Sequence, residues 1–333
     1  MRYLSLFSGI GSPEEALRNI GINFELVGFS EVDKGAIQSY CKVHNVEEKL
    51  NLGDIRNIDF DLLPKDIDLI THGSPCQSFS KDGKGEGGDE GSGTKSSLMW
   101  NTVSICKHTT PKFVIWENVR NVLSQKHVHN FEKYLSRMSE MGYKNHFKIL
   151  NSKNFGIPQN RERIFVISIR NDVNVDFKFP NEHCSDIKLQ DFLETDVDNK
   201  YYINIETEYS GLIQDVSKGG DKEFKVRQAT KKGYDIAKEG DSINLEQPNS
   251  KTRRGRVGKG LVNTLNTSCN QAVVHNGKVR KMTPLEYWRL MGFSDKSFHR
   301  AKEVSSINQL YKQAGNSIVV NVMESIFKEL FKG

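Results

Sequence analysis

The sequence has no apolar run close to the roughly 20 residues that a membrane-spanning helix needs. At the N-terminus, MRYLSLFSGIGS contains only a few consecutive apolar residues before glycine and proline follow. This stretch predicts a first core strand rather than a signal peptide. We therefore expect a cytoplasmic protein with no membrane partner.

Cysteine is scarce: there are five, an odd number, and no CxxC pair occurs. This pattern argues against a disulfide framework and against a cysteine-based zinc site, so we expect no metal. We expect four of the five to be reduced structural thiols, mostly buried. The five are Cys41, Cys76, Cys106, Cys184 and Cys269.

The overall composition is ordinary, but the charge is unevenly distributed. The 333 residues are 36% hydrophobic and carry a net charge of +5. Residues 182–221 hold three Lys/Arg against ten Asp/Glu, whereas residues 222–281 hold fourteen against five. The basic stretch either neutralises DNA phosphates or forms a solvated cationic surface, and charge alone favours neither reading. It includes Arg227, Lys231, Lys232, Lys251, Arg253, Arg254, Arg256 and Lys259.

Short apolar runs alternate with amphipathic stretches along about the first 170 residues. This alternation predicts an α/β fold, with a doubly wound, mostly parallel sheet covered by helices on both faces. From about 182 to 280, polar runs, glycines and short strand-like pieces predict a smaller irregular domain. The predicted strands are Tyr3–Phe7, Leu26–Ser30, Ile67–Thr71, Phe113–Glu117, Lys148–Asn151 and Ile164–Ile169. The predicted helices are Glu14–Ile20, Lys34–His44, Leu98–His108, Phe131–Met141, Pro284–Met291 and Ile318–Phe331.

Residues 81–96 read KDGKGEGGDEGSGTKS, in which six of sixteen are glycine and none is strongly apolar. So little apolar surface predicts a mobile segment, either a surface linker or a loop of the active site. Its place directly after a strand favours a loop that closes on substrate.

The segment LSLFSGIG at residues 4–11 is a strand that enters a glycine-rich turn, with a helix after it. Alone it is as consistent with a plain tight turn as with a cofactor site. Glu31 ends the next strand, about 20 residues on, where a carboxylate can hold ribose hydroxyls. Asp54 and Ile55 suit an adenine. The pattern predicts an adenosine-containing cofactor, either a dinucleotide or S-adenosylmethionine.

Three further positions follow or enter predicted strands. Cys76, in THGSPCQSFS, opens the glycine-rich loop, and Glu117 follows the run FVIW. Alternation along the strand IFVI predicts that Arg161 and Arg163 share one face. Taken singly, these residues fit a structural thiol, a solvated glutamate and surface ion pairs.

The order LFSGIG, EVDK, GDI, GSPCQSFS, ENV, QNRER, TPLEYWRLMGF and QAGNSIVVNV resembles the motif order of DNA cytosine-5 methyltransferases of bacterial and phage type. The resemblance covers nearly the whole chain except about 182–260. It implies a Rossmann-like sheet, S-adenosyl-L-methionine as cofactor, S-adenosyl-L-homocysteine as product, and no metal. It also implies a cytosine flipped out of duplex DNA and a covalent intermediate.

The resemblance implies a role for each matching residue. Cys76 is the nucleophile that adds to cytosine carbon 6, Glu117 holds or protonates ring nitrogen 3, and Arg163, with Arg161 nearby, stabilises the base. Cofactor contacts are implied at Phe7, Ser8, Gly9, Gly11, Glu31, Val32, Asp54, Ile55, Pro75, Leu98, Asn316 and Ser317. DNA contacts are expected at Lys81, Lys84, Arg227, Arg253, Arg254, Arg256, Thr264 and Leu265.

The chain departs from the family pattern at two cofactor positions. Ser12-Pro13 replaces a glycine-like step, and Val32 stands where relatives often carry an aromatic residue. These departures bear on the affinity for the cofactor and not on its identity.

We expect residues 1–181 and 303–333 to form the cofactor-binding catalytic domain and residues 182–302 to form the target-recognition domain, with DNA in the cleft between them. A monomer is expected, acting in the cytoplasm on nucleoid DNA of a bacterium or a phage-infected cell. It would be related to a restriction-modification system, with any cognate restriction endonuclease acting separately.

Three alternatives remain. A tRNA cytosine-5 methyltransferase shares the fold, but the variable region of about 90 residues with a basic half favours duplex DNA. A nicotinamide-dependent oxidoreductase would leave Cys76, Glu117 and Arg163 without a shared task. A non-catalytic DNA-binding module would have no use for a nucleophile and an acid.

Overall fold

The computed structural model describes residues 1–79, 86–182, 186–220 and 222–332. The helices are α1 Ser12–Asn19, α2 Lys34–His44, α3 Met99–Thr109, α4 Val128–Glu140, α5 Ile205–Glu208, α6 Pro284–Arg289, α7 Asp295–Lys302, α8 Ile307–Asn316 and α9 Val320–Leu330. The strands are β1 Arg2–Leu6, β2 Glu25–Ser30, β3 Leu69–His72, β4 Phe113–Val119, β5 Tyr143–Asn151, β6 Gln159–Asn160, β7 Glu162–Arg170, β8 Ile213–Asp215, β9 Phe224–Arg227, β10 Tyr234–Ala237, β11 Ser242–Asn244, β12 Val257–Gly258, β13 Val262–Asn263, β14 Gln271–His275 and β15 Lys278–Lys281.

Within the described residues, six strands form the largest sheet, in the order β2-β1-β3-β4-β7-β5. The pairs β1–β2, β1–β3 and β3–β4 are parallel, whereas β7 runs antiparallel to both of its neighbours. Residues 152–161, between β5 and β7, are too few for the helical crossover of a dozen or more residues that parallel strands require. The predicted α/β fold with a mostly parallel sheet is confirmed.

The predicted elements agree with the structure in kind and differ at their ends. Helix α2 has the predicted bounds, whereas β5 begins at Tyr143 instead of Lys148. Most side chains in the early part of β5 are exposed or only partly buried, because this strand pairs only with β7 at the edge of the sheet. It therefore lacks the apolar run by which a central strand is found.

Residues 86–96, the described part of the loop predicted to be mobile, are held by hydrogen bonds, and the mobility of the loop stays a prediction. Trp100 Nε1 donates to the carbonyl oxygen of Gly88 at 2.7 Å. A Cβ added at Gly88 would lie 2.4 Å from the Phe79 ring, so only glycine allows this approach. Asp89 Oδ1 accepts hydrogen bonds from His129 and Asn130 on α4. Main-chain contacts and one carboxylate thus hold a segment that has little apolar surface.

The chain divides into two compact units, which differ in part from the expected domains. The first consists of residues 1–151, 162–181 and 317–333, and the second of residues 152–161 and 182–316. Residues 303–316, which include α8, and residues 152–161 were expected in the catalytic domain but belong to the second unit. The recognition role of the second unit remains a prediction.

The second unit has its own apolar core between short antiparallel strands. One sheet has the order β10-β9-β8 and another the order β12-β11-β14-β15. These strands have only two to five residues and leave little periodic signal in the sequence, so the sequence predicted an irregular domain here. The core consists of Leu212, Ile213, Phe224, Val226, Ala237, Ile243, Leu245, Ala272, Val274 and Val279.

Glu14 is fully buried in α1 and accepts a hydrogen bond from Tyr40 at 2.8 Å. Burial raises the pKa of Glu14 above its ordinary value. The folded chain therefore holds the proton more tightly than the unfolded chain. This contribution to the free energy of unfolding is complete below the unfolded pKa and is lost as pH rises through the folded pKa.

We expect Glu14→Gln to remove this loss, because glutamine stays neutral and can still accept from Tyr40. The difference in free energy of unfolding between variant and wild type should be larger at pH 8 than at pH 5, by about 1.4 kcal/mol for each unit of pKa shift. Urea denaturation at both pH values measures it. Glu25→Gln, at an exposed glutamate, is the control. An equal difference at both pH values for Glu14→Gln would contradict the prediction.

Candidate active site

The carboxyl ends of β1, β2, β3 and β4 lie at one edge of the parallel sheet, and the loop that carries Cys76 leaves this edge. Cys76 follows β3 by four residues and is half-buried. The loop is anchored at Ser74, because Trp116 Nε1 donates to Ser74 Oγ at 3.0 Å and Asn118 Nδ2 donates to the Ser74 carbonyl oxygen at 3.1 Å. Two side chains of β4 thus fix the backbone just before Cys76.

The segment on both sides of Cys76 is held as firmly. Ser96 Oγ donates to the Pro75 carbonyl oxygen at 2.8 Å. After Cys76 the chain turns, with the Phe79 N–H donating to the Cys76 carbonyl oxygen at 2.9 Å. Asn121 Nδ2 donates to the Phe79 carbonyl oxygen at 2.5 Å. Sequence reasoning missed Ser74, Ser96, Asn118 and Asn121, although Asn118 next to Glu117 in ENV must lie on the opposite face of the strand.

Glu117 and Arg163 form an ion pair at the same edge of the sheet. Val119 is directly opposite Arg163 in the β4–β7 ladder, so Glu117, two residues earlier, is its diagonal neighbour on the same face. Arg163 Nε lies 3.0 Å from Glu117 Oε1, and both side chains are largely buried. A Cβ added at Gly73 would lie 3.6 Å from Glu117 Oε2, so this carboxylate borders the loop that leads to Cys76.

Aromatic side chains pack against one another at the ends of β3 and β4. The His72 ring stacks on Trp116 with 5.9 Å between centroids, and His72 Nε2 is hydrogen-bonded to the Tyr134 hydroxyl. Burial lowers the pKa of His72 to about 3, so the ring is neutral at physiological pH. The cation paired with Glu117 is therefore the Arg163 guanidinium.

The prediction that Arg161 and Arg163 share a strand face is wrong. Arg161 lies before β7, in the second unit, and is 4% exposed. Its guanidinium donates to the carbonyl oxygens of Leu265 at 2.9 Å and Gly315 at 3.0 Å. A side chain committed to buried main-chain carbonyls holds the fold together, so we no longer assign Arg161 to the catalytic group.

The glycine-rich turn after β1 has the backbone that the cofactor prediction requires. Gly11 has φ +78°, and an added Cβ would lie 2.1 Å from His44 Nε2, so no other residue fits. Gly9 is also in the left-handed region and donates its N–H to Glu31 Oε2 at 2.9 Å. Ser12, the departure from the family pattern, is hydrogen-bonded through Oγ to Ser317 Oγ at 2.6 Å.

Glu31 is oriented by main-chain donors. Its Oε1 accepts from the N–H groups of Val32 at 2.8 Å and Asp33 at 2.9 Å. Asn51, which sequence reasoning missed, joins Glu31 to the next segment, because Asn51 Oδ1 accepts from the N–H groups of both Glu31 and Gly53 at 3.1 Å. Two predicted cofactor segments, at residues 31–32 and 53–55, are thereby brought together.

The remaining predicted cofactor residues differ in exposure. Val32 is 65% exposed and Ile55 is buried. The Asp54 carboxylate pairs with Arg56, and hydrogen bonds from Arg56 lower the pKa of Asp54. Phe7, Pro75 and Leu98 are half-buried and Ser8 and Ser317 are buried in the first unit, whereas Asn316 is exposed at the end of α8 in the second.

The predicted DNA contacts divide into surface and interior positions. Arg254 and Thr264 are exposed, and Thr264 Oγ1 donates to the Asn160 carbonyl oxygen at 2.7 Å. The predictions for Arg256 and for the Leu265 side chain are wrong, because these are 0% and 1% exposed and cannot reach a duplex. Arg256 was expected at the surface because it belongs to the basic stretch, and Leu265 because its segment resembles the end of the family's recognition region. Lys81 and Lys84 lie outside the described residues.

Two further classes of site have no counterpart in the described part of the chain. No cluster of three or more His, Cys, Asp or Glu side chains is arranged to hold a metal ion there. None of its helices combines the length and apolar composition needed to cross a membrane.

Comparison with known proteins identifies the family. The model of the family C-5 cytosine-specific DNA methylase matches residues 1–332. The chain is 35% identical to Type II methyltransferase M2.ScrFI of Lactococcus lactis subsp. cremoris, over 100% of this chain and 99% of that protein. It is 33% identical to Orphan methyltransferase M.SPRI of Bacillus phage SPR, over 99% of this chain and 97% of that protein.

Among solved structures, S. pombe Dnmt2 methyltransferase has the same fold, with a TM-score of 0.66 at 18% identity over 100% of this chain and 98% of that one. The predicted family and enzyme class, DNA cytosine-5 methyltransferase, are confirmed by the sequence matches. The chain belongs to the family of C-5 cytosine-specific DNA methylases.

Proposed function

We propose that Cys76 is the nucleophile of a covalent methyl transfer to carbon 5 of cytosine in duplex DNA, and that Glu117 and Arg163 activate the base. The observation that supports this most is the Glu117–Arg163 ion pair at the strand edge from which the Cys76 loop departs. The carboxylate also borders Gly73, three residues before Cys76.

Carbon 5 of cytosine is a poor nucleophile, and covalent addition makes it a better one. Addition of Cys76 Sγ to carbon 6 moves the electron pair of the 5,6 double bond toward carbon 5 and the ring. When bound, S-adenosylmethionine supplies a methyl group on a positively charged sulfur. Once carbon 5 is methylated, loss of its proton and departure of Cys76 Sγ from carbon 6 restore the double bond.

Glu117 acts in the addition as a carboxylic acid: the carboxylate that pairs with Arg163 takes up a proton as the base enters, and it shares this proton with the base. Protonation of ring nitrogen 3, or a shared proton there, draws electrons from carbon 6 and makes it a better electrophile. The Arg163 guanidinium holds the carboxylate in place and offers donors to the base. The proton returns to Glu117 when Cys76 leaves.

The residues around the glycine turn fit S-adenosylmethionine. The Glu31 carboxylate, fixed by three main-chain N–H groups, suits the two ribose hydroxyls. Asp54 offers an acceptor to the adenine amine, and the exposed side chain of Val32 offers an apolar surface to the ring. The aliphatic Val32 gives less contact area than an aromatic residue at this position.

The target atom is hidden in stacked duplex DNA, so the base must be extruded before reaction. We assign recognition of the surrounding sequence to the second unit, which contains the basic stretch at residues 222–281. We further propose that the protein acts as a monomer and that a restriction endonuclease, where one exists, is a separate protein; the Type II and orphan names of the relatives are consistent with this.

Base-resolution bisulfite sequencing tests the function. The protein is expressed in cells that lack cytosine methylation, and their DNA is sequenced after conversion. We expect protected cytosines in one short sequence context. Full conversion with soluble, folded protein would reject the proposal for DNA, and the same assay on tRNA would then test the alternative substrate.

Glu117→Gln is expected to lower the rate of methyl transfer about 10²- to 10⁴-fold, the usual contribution of a general acid. Glutamine keeps the shape of the side chain but has no proton to give to nitrogen 3. Single-turnover kinetics at saturating DNA and cofactor measures the chemical step. The control is Glu162→Gln, at an exposed glutamate of β7 that pairs with Arg120. Equal rates in the two variants would remove Glu117 from the mechanism.

A further inference from the structure

Four arginines of the second unit lie close together around β9 and the loop before β12: Arg227, Arg253, Arg254 and Arg256, here called the arginine cluster. Arg256 is its interior member, with no exposed surface. Its guanidinium donates to the carbonyl oxygens of Asn244 at 3.0 Å, Glu246 at 2.8 Å and Gln247 at 2.7 Å.

The cluster shapes the loop that carries its exposed member, Arg254. Arg227 Nη2 donates to the Pro248 carbonyl oxygen at 2.9 Å. On the other side, the Ala229 N–H donates to the Arg253 carbonyl oxygen at 2.7 Å. The loop is therefore tied to the turn after β9 through its main chain, and Arg254 stands on a braced backbone.

Positive charge exceeds negative charge in the cluster. Glu246 pairs with Arg253, and its charge opposes the lowering of the Arg256 pKa. Burial and the charges of Arg253 and Arg227 lower the pKa of Arg256. Like charges so close together destabilise the fold, and a bound anion would relieve their repulsion.

The cationic surface continues along the neighbouring hairpin. Nζ of Lys225 and Nζ of Lys232 each lie 4.5 Å from the centre of the Tyr234 ring. Register places Lys225, Arg227 and Tyr234 on one face of the β9–β10 pair, while Phe224 and Val226 on the other face enter the core. The apolar face of this strand pair packs in the core of the second unit, and the basic face offers a surface to a binding partner.

We propose that the arginine cluster binds the sugar-phosphate backbone of the substrate duplex, with Arg254 in direct contact with phosphate and Arg256 as a positioning residue that holds the loop. This proposal rests on the proposed function. It assigns these arginines to contacts with phosphate and not to the recognition of base edges. Three of the four guanidinium groups are held by main-chain carbonyls or by Glu246, which favours a fixed electrostatic surface over side chains that enter a groove.

The test is the salt dependence of binding to a 30-base-pair duplex, measured by fluorescence anisotropy between about 50 and 200 mM salt. Each neutralised phosphate contributes about 0.9 to the slope of log K against log salt. Arg254→Gln should lower the magnitude of the slope by about 1 on every sequence, a change of roughly fourfold in relative affinity across this range. The control is Lys302→Gln, at an exposed lysine of α7 in the same unit, which should keep the wild-type slope.

A double variant tests the positioning role. Lysine keeps the charge of Arg256 but lacks the planar fork that spans three carbonyls. In an Arg256→Lys background, Arg254→Gln should no longer change the slope. A purely structural Arg256 would leave the effect of Arg254→Gln intact, which would overturn the positioning role. If Arg256→Lys does not fold, the slopes of Arg254→Gln and Arg227→Gln still decide the phosphate site.

The opposite result for Arg254 is as clear. An unchanged slope with an altered preference among duplex sequences would make Arg254 a base reader and overturn the phosphate assignment. The same wild-type preparation is assayed for methyl transfer to DNA. Activity there with an unchanged slope in Arg254→Gln rejects only the phosphate site, whereas absence of activity in the wild type rejects the proposed function itself.

Discussion

Replacing Cys76 by alanine should lower methyl transfer at least roughly a thousandfold and leave binding of duplex DNA intact. Without Sγ no covalent bond to carbon 6 forms, and the reaction loses the step that makes carbon 5 nucleophilic. The substitution removes one atom from a half-buried side chain. These anchors of the loop do not involve the thiol. Trp116 donates to Ser74 Oγ, Ser96 to the Pro75 carbonyl oxygen and Asn121 to the Phe79 carbonyl oxygen.

Methyl transfer from labelled cofactor and anisotropy with duplex DNA measure the two properties separately. Cys41→Ala is the matched control, at a half-buried cysteine of α2 whose pKa is raised by burial. A duplex carrying 5-fluorocytosine adds a direct test, since fluorine cannot leave as a cation and the adduct persists. By mass spectrometry, wild type and Cys41→Ala should gain the mass of the DNA strand that carries 5-fluorocytosine, and Cys76→Ala should not. Turnover in Cys76→Ala would remove this residue from the chemistry.

The sequence predicted those parts of the fold that depend on local periodicity. Helix α2 and the strands β1, β2 and β4 stand where apolar runs and amphipathic stretches placed them. The direction of β7 was not predictable in this way, since strand pairing depends on the length of the connection and on distant partners. The antiparallel strands of the second unit could not be assigned one by one, because runs of two to five residues show little periodicity.

The candidate site was predictable to the extent that it depends on strand ends. Glycine turns and carboxylates that follow strands converge at one edge of a parallel sheet, which is why the positions of Cys76, Glu117 and Glu31 could be reasoned out. The residues that hold these side chains and their loops in place could not be predicted. Asn51 and Asn118 bond to backbone atoms of segments distant in sequence, and a lone asparagine has no pattern.

The sequence predicted the locations of arginine side chains least well. Arg256 and Arg161 stand beside charged and polar residues, as surface residues do, yet both are buried and donate to main-chain carbonyls. A guanidinium has five donors in a planar fork, so it can satisfy several carbonyl groups where strands are short and loops are long. Such a role follows from the path of the backbone and not from the neighbours in sequence.

The second unit contains one more buried arginine, Arg280, and its replacement by methionine should lower the free energy of unfolding by about 3–5 kcal/mol. Arg280 and Glu286 have no exposed surface and form two hydrogen bonds, of 2.6 and 2.9 Å. Glu286 also accepts from the N–H groups of Thr283 at 2.7 Å and Glu194 at 2.9 Å. Loss of Arg280 would leave a buried carboxylate with main-chain donors but without its counterion.

Helix α6, which carries Glu286, also carries the arginine used as the control. Arg289 and Asp295 form a pair of the same two-bond geometry, 2.6 and 2.8 Å, but with 26% and 47% of their side chains exposed. Solvent screens this pair, so Arg289→Met should cost about 0–1 kcal/mol in urea denaturation. Adding Glu286→Gln to Arg280→Met removes the uncompensated charge and should recover part of the loss. Equal losses for Arg280→Met and Arg289→Met would mean that burial does not determine how strongly each pair stabilises the fold.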